Sequence, residues 1–392
     1  MQPEFLGALR VEFVRGIHNI RSKDFGCVVT IGNFDGCHLG HKSIVLKLIE
    51  VAKQYQVPAC VVTFEPLPHE VLSSEPPSRL MSLREKIQIL RSWGVDRLIC
   101  LKFDKGLMEN TAQSFISSLL AQRLGIKAIV VGQDFNFGFG RQGNNHLLEA
   151  VSNCYNFSVH VVPNQSALGE RTSSTKIRQL LSQGECEKAK KLLGRSFTLT
   201  GRVVKGLQQG RMLGFPTANL NVPVSHIPVR GVFVVKVQKE HTPRGVDTQS
   251  SLLLGKMERV YTRTSLFLGK AASKRIPPSA LLVHDGGERM QPTQPKSKME
   301  RVWGVANVGR RPTLVEADRI RVEVHLLDFC GDLYGEKLLV SFIQKLREEK
   351  HFASLLELKA QIENDISQAR RLQQKMTHPE GLLAEDSVVS VT

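Results

Sequence analysis

Two histidines and three glycines between residues 32 and 41 carry the clearest chemical signal in the sequence. This segment, GNFDGCHLGH, joins an apolar run at 27–31 to a run at 42–53 whose apolar residues recur at helical spacing. Such a glycine turn delivers a helix N-terminus, where unpaired N–H groups and the helix dipole favour an anion. His38 and His41 can donate hydrogen bonds to phosphate oxygens and stabilise charge on a leaving pyrophosphate. The segment therefore predicts a nucleotide phosphate site.

The two histidines also have interpretations other than a phosphate site. In an isolated H-x-x-H, one histidine usually caps the helix and the other is an ordinary surface residue. A zinc site like H-E-x-x-H needs wider spacing and a nearby acid, and a P-loop needs G-x-x-x-x-G-K-[ST]. The H-x-G-H pattern at 38–41 instead resembles that of the adenylyltransferase superfamily. This resemblance implies nucleotidyl transfer.

Three further polar stretches follow predicted strands, at 63–66, at 132–138 and at 173–178. The carboxyl ends of parallel strands form the edge at which open sheets bind ligands, so these stretches are expected beside the histidines. Serine and threonine at a helix start both cap the helix and donate to phosphate. Arg171 and Arg178 can place their guanidinium forks on non-bridging phosphate oxygens.

A second candidate site lies in the other half of the chain. Thr217 and Asn219 are two residues apart in an extended segment, so both can reach one Mg²⁺-nucleotide from the same side. Pro216 fixes the preceding turn. In an alternating strand, Glu323 and His325 would also share one face. The alternative for Glu323 is an ordinary solvent-facing strand glutamate.

The elements that must position these residues differ between the two halves. Strand-like runs at 57–64, 97–103, 128–131 and 159–163 alternate with helix-like runs at 83–93, 111–124 and 146–151. This alternation predicts a parallel, doubly wound sheet. From Phe197 onward, five short Val- and Leu-rich runs predict a small antiparallel barrel: 199–204, 231–237, 302–308, 322–327 and 338–342.

The predicted fold class is α/β plus β: an N-terminal Rossmann-like domain, then a barrel with a C-terminal helix. The predicted limits are 1–193 and 194–373, with a flexible tail at 374–392. Residues 238–301 are rich in Lys, Arg, Ser and Pro and repeat KMERV, which predicts a partly disordered surface insertion. A solvated loop is favoured there over a contact with RNA or an acidic partner.

Composition narrows the class of protein. Lys and Arg number 53 against 37 for Asp and Glu, which favours anionic partners, either nucleotides or nucleic acids. Seven cysteines are scattered without C-x-x-C pairs, so reduced cytosolic thiols are expected. The sequence shows no signal-peptide pattern and no apolar run of about eighteen residues. We therefore predict a cytoplasmic protein without a membrane partner.

As a set, the motifs resemble those of prokaryotic bifunctional riboflavin kinase/FAD synthetases. The resemblance includes 79–80, 83–86, 304–313, 322–328, 332–335 and the helix after Phe352. In the first half it implies attack of the FMN phosphate on the α-phosphorus of ATP, which gives FAD and pyrophosphate. The implied ATP-binding residues are Gly32, Asn33, Phe34, Gly36, His38, Gly40, His41, Arg171, Ser174, Thr175 and Arg178. The resemblance further implies that His38, His41 and Arg178 are catalytic and that Asp134 and Phe135 help to place the flavin.

In the second half the resemblance implies phosphorylation of riboflavin by ATP. Glu323 is the expected general base, because the ribityl hydroxyl must lose its proton as it attacks the γ-phosphorus. The implied ATP-binding residues are Gly206, Gly210, Arg211, Gly214, Pro216, Thr217 and Asn219, with Thr217 and Asn219 on Mg²⁺. ATP and Mg²⁺ are expected to serve both steps.

Two departures and two alternatives accompany this hypothesis. Gln208 stands where the family usually carries a glycine, and the insertion separates two strands that the family joins by a short turn. One alternative is therefore an FMN adenylyltransferase with an impaired kinase domain. The other is an RNA-binding protein on a borrowed scaffold, but no RRM, KH or zinc-knuckle pattern is present. The expected partners are small molecules, without nucleic acid, and the sequence leaves the oligomeric state open.

Overall fold

The structure, a computed structural model, describes residues 11–167, 169–206, 210, 213–223, 227–240, 301–310 and 320–377. Most of the predicted insertion and tail, and the residues Gln208 and Arg211, lie outside these ranges. The strands are β1 (Glu12–Arg15), β2 (Val28–Ile31), β3 (Ala59–Phe64), β4 (Arg97–Leu101), β5 (Ala128–Gly132), β6 (Asn136–Phe137), β7 (Gly143–Asn144), β8 (Ser158–Val162), β9 (Ser166–Ala167), β10 (Glu170–Arg171), β11 (Thr198–Val204), β12 (Thr217–Asn221), β13 (Gly231–Lys239), β14 (Val302–Arg310), β15 (Ile320–Leu326) and β16 (Lys337–Arg347). The helices are α1 (Leu39–Tyr55), α2 (Pro68–Leu72), α3 (Leu83–Ser92), α4 (Lys105–Met108), α5 (Ala112–Ser114), a π-helix (Phe115–Arg123), α6 (Asn145–Tyr155), α7 (Ser174–Ser182), α8 (Cys186–Leu193) and α9 (Leu355–Thr377).

The N-terminal half contains a six-stranded sheet in the order β1-β4-β3-β2-β5-β8, with every neighbouring pair parallel. Successive residues along its strands contribute to two separate cores, as Val28 and Val29 do. The π-helix and α6 cover one face, whereas α1 and α3 cover the other. The near-continuous apolar runs in these strands reflect burial on both faces. The predicted doubly wound sheet is confirmed.

The strand order reverses direction beside β2. The chain adds β3 and β4 on one side of β2 and then places β5 on the other side. This reversal is a topological switch point, where open α/β sheets form a crevice for ligands. The segment Gly32–His41 leaves the carboxyl end of β2 at this point and leads into α1. The fold therefore places the predicted phosphate segment where a ligand crevice is expected.

The second half contains a closed barrel in the order β11-β12-β15-β14-β13-β16. All neighbouring pairs are antiparallel, which confirms the predicted barrel. The sixth strand is β12, which the apolar pattern did not predict because its sequence TANLN is mostly polar. Val237 pairs with Val302, so the predicted insertion joins two neighbouring strands of one hairpin. The domain limits at 193 and 194 stay predictions.

The last helix packs on the outside of this barrel through one buried ion pair. Arg347 at the end of β16 donates from Nη2 to Asp365 at 2.8 Å, and Gln361 donates to the same carboxylate. Ala369 packs in a small core with Trp303. The helix continues to Thr377, four residues beyond the predicted limit at 373. No helix among the described residues is long and apolar enough to cross a membrane.

We expect Asp365→Asn to destabilise the docking of α9 substantially. Asp365 is 2% exposed, so the variant leaves the Arg347 guanidinium without its counter-charge in a partly buried place. Breaking a buried ion pair on one side costs about 3 kcal/mol or more. The matched control is Asp328→Asn, which breaks an ion pair between Asp328 and Arg370 of the same helix. Both partners of that pair are about half exposed, so only a small loss is expected.

The measurement is thermal unfolding followed by fluorescence in a Trp93→Phe background. The chain has two tryptophans, so this background leaves Trp303, which lies under α9, as the reporter. Equal melting shifts for the two aspartate variants would show that the buried pair does not anchor the helix.

Candidate functional site

The first site, named the histidine site here, consists of the loop Gly32–His41 and the N-termini of α1 and α7. Its backbone takes left-handed conformations at Phe34, Gly36 and Cys37, with φ of 47°, 83° and 40°. Non-glycine residues in this region are strained and tend to occur at functional sites. A Cβ on Gly36 would lie 2.7 Å from the Cδ1 atom of Leu80, so only glycine fits there.

The two histidines lie against each other at the start of α1. Their rings stack with centroids 3.7 Å apart. His38 caps the helix, and its Nδ1 accepts a hydrogen bond from the backbone N–H of His41 at 3.3 Å. A neutral His38 ring therefore carries its proton on Nε2, which can donate to a ligand. Capping and ligand binding are thus compatible roles for this residue.

Both imidazoles are neutral at pH 7. Burial is the main cause that lowers the pKa of His38 from 6.5 to about 4. Three guanidinium groups lower it further, those of Arg195, Arg171 and Arg178. Burial also lowers the pKa of His41 well below its usual range. Among the described residues, none is placed to bond with the buried Nδ1 of His41. The histidines therefore present neutral polar groups, and the charged groups that lower the pKa of His38 are all cations, which favours an anionic ligand.

These pKa shifts predict a loss of stability in mild acid. When the pKa of a histidine is lower in the folded than in the unfolded chain, its contribution to the free energy of unfolding is fully present above pH 6.5. This contribution is lost as the pH falls toward about 4, because the unfolded chain then binds the proton more readily. For His38 alone, we expect a loss of about 1.4 kcal/mol between neutral pH and about pH 5.5. His38→Asn keeps a cap acceptor but cannot titrate, so its stability should fall less.

The measurement is the unfolding free energy of wild type and His38→Asn at the two pH values. The difference between their acid-induced losses gives the contribution of His38 together with its influence on the pKa of His41. Identical losses would place the pKa of His38 near that of an exposed histidine.

The start of α7 lies beside the start of α1. A Cβ on Gly40 would be 3.6 Å from the carbonyl oxygen of Thr172. Ser173 caps α7 by accepting from the N–H of Lys176. Ser174 donates from Oγ to the carbonyl oxygen of Asp35 at 2.8 Å. The structure thus brings the predicted stretch at 173–178 to the histidines, and two helix N-termini lie side by side.

Asp35 is a residue of this site that the sequence did not reveal. Its carboxylate is buried, accepts from the backbone N–H of Leu80 at 3.1 Å and forms an ion pair with Arg178. Arg178 also donates to the carbonyl oxygen of Ser78. The predicted ATP-binding residue Arg178 is therefore held in position by the loop itself. Thr175, another predicted ATP-binding residue, is exposed at the same helix start.

Another pair of predicted residues is connected to His38, because Arg171 is one of the guanidinium groups that lower its pKa. Arg171 forms an ion pair with Asp134, and Asn164 donates to the same carboxylate at 2.7 Å. The residue expected at ATP thus contacts the residue expected at the flavin. Phe135 stacks on Phe137 with centroids 5.3 Å apart.

Asn33 is held through its main chain by a buried lysine. The Nζ of Lys86 donates to the carbonyl oxygen of Asn33 at 2.7 Å and to the Oγ1 of Thr63 at 3.2 Å. Lys86 is 2% exposed, so its charge lies inside the protein beneath the loop. The sequence placed Lys86 only in a resembling neighbourhood and gave it no role.

The second site, named the barrel site here, lies on the outer face of three neighbouring strands. Asn219 pairs with Glu323, and Glu323 pairs with Asn307 on the next strand. Thr217 pairs with His325 one step along. Because Val322, Val324 and Leu326 are buried, the alternate residues of β15 face outward. The structure therefore brings together the predicted residues Thr217, Asn219, Glu323 and His325.

Glycines allow the segment before β12 to lie on these side chains. A Cβ on Gly206 would be 2.4 Å from the side chain of Asn219. A Cβ on Gly210 would be 2.5 Å from the carbonyl oxygen of Phe215 and 3.3 Å from the Oγ1 of Thr217. Gly214 has a φ of 90°. These three predicted glycines are thus required by close approach or by backbone conformation.

Two more contacts hold the barrel site. His325 shares a hydrogen bond between its Nδ1 and the carbonyl oxygen of Pro216 at 2.9 Å. Glu323 forms an ion pair with Arg321, so its carboxylate is oriented along the strand. The predictions for Arg211 and Gln208 lie outside the described residues.

Comparisons with known proteins match both halves. The family model for FAD synthetase matches residues 20–176, and that for riboflavin kinase matches residues 193–373. A protein of Pseudomonas fluorescens named bifunctional riboflavin kinase/FMN adenylyltransferase is 36% identical over 94% of this chain and 100% of its own length. A protein of the same name from Escherichia coli K12 is 38% identical over 92% of this chain and 97% of its own.

A solved structure from Streptococcus pneumoniae is also similar. It is described as a macrolide-efflux protein and has a TM-score of 0.68 and 25% identity. The match covers 92% of this chain and 99% of the other. The likeness thus extends over both the sheet and the barrel.

Proposed function

The chain belongs to the bifunctional riboflavin kinase/FMN adenylyltransferase family, and we propose that it forms FAD at the histidine site and FMN at the barrel site. It is an enzyme that phosphorylates riboflavin with ATP to FMN and transfers an adenylyl group from ATP to FMN. The convergence of two helix N-termini on two neutral, stacked histidines carries the first assignment. Each half of the chain is thus assigned one of the two reactions.

At the histidine site, an oxygen of the FMN phosphate attacks the α-phosphorus of ATP. The new P–O bond forms as the bond to the β-phosphate oxygen breaks, and pyrophosphate leaves with that electron pair. His38 and His41 donate hydrogen bonds to the phosphates, and the helix N-termini add their N–H groups. Arg178 stabilises the charge that develops on pyrophosphate. Asp134 and Phe135 help to place the flavin.

At the barrel site, the ribityl hydroxyl of riboflavin attacks the γ-phosphorus of ATP and ADP leaves. Glu323 accepts the hydroxyl proton as the new bond forms. The glycines at 206, 210 and 214 let the backbone approach the phosphates closely. Positioning and charge stabilisation carry most of such a reaction, which agrees with a site made mainly of polar and glycine residues.

Mg²⁺ fits the barrel site by the chemistry of its donors. Thr217 and Asn219 offer a hydroxyl and an amide oxygen on one face, and hard cations bind oxygen. Mg²⁺ bound with ATP needs only one or two protein ligands, because phosphates and waters supply the others. When bound, the ion neutralises phosphate charge and orients the γ-phosphate.

The decisive experiment separates riboflavin, FMN and FAD by chromatography after incubation with ATP and Mg²⁺. One reaction starts from riboflavin and the other from FMN. We expect FAD from both. FAD from FMN alone would mean that Gln208 or the insertion has disabled the kinase, and product from neither would overturn the proposal.

A cytoplasmic location is proposed from the thiols. All seven cysteines are free, and five of them are buried. Unpaired buried thiols suit a reducing compartment. We propose small molecules, namely riboflavin, FMN and ATP, as the binding partners.

A further inference from the structure

Arg195 reaches back from the start of the kinase half to the loop of the histidine site. Its Nη2 donates to the carbonyl oxygen of Gly36 at 2.8 Å. Its Nη1 donates to the carbonyl oxygens of Cys37 at 3.0 Å and Leu193 at 3.3 Å. The planar guanidinium fork suits such a set of converging acceptors. One side chain therefore holds two consecutive carbonyl groups of the phosphate loop.

Those two carbonyls belong to the strained part of the loop. Gly36 and Cys37 both have left-handed backbone, and Cys37 pays a steric cost that glycine does not. A strained segment persists only when its surroundings over-determine it. Cys37 directly precedes His38, so the carbonyls held by Arg195 fix the approach of the chain to the helix cap.

The turn before Arg195 brings this residue close to the phosphate loop. Gly194 ends α8 with a φ of 73°, and a Cβ there would lie 2.7 Å from the Cδ2 atom of Leu39 in the first turn of α1. Close approach of Gly194 to α1 therefore delivers Arg195 to the loop. The riboflavin kinase match begins at 193 and the FAD synthetase match ends at 176, so this residue lies outside the segment matched to adenylyl transfer.

We propose that Arg195 is a positioning residue for FAD formation: it holds the phosphate loop in the conformation that presents His38 and His41 to ATP. The proposal rests on the assignment of FAD formation to the histidine site. FAD formation then requires a residue from the half of the chain that matches riboflavin kinase. The two activities are then not separable by cutting the chain at 193.

Electrostatics support this role. After burial, Arg195 is the largest influence that lowers the pKa of His38, and it also lowers that of His41. The other titratable groups that lower these pKa values are Arg171 and Arg178 for His38, and His38 and Lys86 for His41. Arg195 thus adds positive charge to an anion site and favours neutral imidazoles.

The test compares Arg195→Lys and Arg195→Met in the full chain, with the two activities measured on the same preparation. Arg195→Lys keeps the charge but not the fork, so we expect the KM for ATP in FAD formation to rise about tenfold, with kcat retained within about threefold. Arg195→Met loses both and should lower kcat/KM about 100-fold. For Arg195→Met, the acid limb of the pH–rate profile of FAD formation should also move to higher pH. The acid limb of Arg195→Lys should not move.

FMN formation from riboflavin is the internal control and should stay within about twofold of wild type. Lys191→Met removes the same charge from the exposed face of α8 and should change neither activity. Two results would overturn the proposal: equal losses in both reactions, or a lower kcat with unchanged KM in Arg195→Lys. Either result would show that Arg195 only supports folding.

A parallel variant distinguishes this failure from failure of the site assignment. If replacing both histidines by alanine abolishes FAD formation while the Arg195 variants remain normal, only the role of Arg195 is wrong. If the double histidine variant still forms FAD, the histidine site itself is wrong.

Discussion

Replacing His38 and His41 together by alanine should abolish FAD formation from FMN and leave FMN formation from riboflavin intact. The two side chains lie stacked at the N-terminus of α1, where they can donate to phosphate. Loss of one preorganised donor to developing charge typically costs about 10²–10³ in rate, and two such donors on one phosphate chain should cost more. The kinase reaction is proposed to use a site on a different sheet, so it reports that the chain remains folded.

Single variants separate the cap from the donor. His38→Asn keeps an acceptor for the N–H of His41 but removes the Nε2 donor, so it should fold normally and still lose about 10²-fold in kcat. His41→Ala keeps the cap, because His38 accepts from the backbone and not from the ring of His41. Each is assayed for FAD from FMN at saturating ATP. Simultaneous loss of both activities in either variant would contradict independent sites.

The sequence predicted those parts of the fold whose residues repeat at short range. Apolar runs such as 97–101 and the helical spacing of α1 are local signals, and both are found where expected. The start of α1 at Leu39, three residues earlier than predicted, follows from the cap by His38. β1 was missed because a four-residue strand at a sheet edge carries too little pattern to be recognised.

The missed parts of the histidine site depend on contacts between distant residues. Asp35 and Arg178 are 143 residues apart, and Arg195 lies 159 residues from Gly36. No periodicity connects such pairs, and a buried acid in a glycine-rich loop looks like a turn residue. The motif residues themselves could be recognised because they lie at strand ends, which the fold class brings to one edge. The residues that hold them in place become visible only in the folded chain.

The barrel site shows the same division. Alternation predicted that Glu323 and His325 share a face, and that Thr217 and Asn219 share another. The register of β12 beside β15 pairs Asn219 with Glu323, and this pairing joins the two faces into one surface. Register depends on the closure of the whole barrel, so a strand pattern alone does not give it.

Replacing Glu323 by glutamine should reduce FMN formation from riboflavin by about 10²–10⁴ in kcat, because the amide cannot accept the ribityl proton. The change conserves shape, so the KM for ATP should stay near that of wild type, as expected for an interaction made in the transition state. FAD formation from FMN should be unchanged. Glu348→Gln is the matched control, since its carboxylate is exposed and pairs only at the surface with Lys345.

The ion pair with Arg321 gives this prediction a second test. If Arg321 only orients the carboxylate and takes no part in proton transfer, Arg321→Met should leave kcat within a few-fold of wild type, whereas Glu323→Gln should not. A Glu323→Gln enzyme with more than a third of the wild-type kcat would instead make Glu323 an ordinary strand glutamate. A general base must contact the reacting hydroxyl, and the outward face that Glu323 shares with Asn219 and Thr217 is where ATP is proposed to bind. The base and the phosphate ligands would then act on one substrate pair from neighbouring strands, which explains why the site needs the register of the closed barrel.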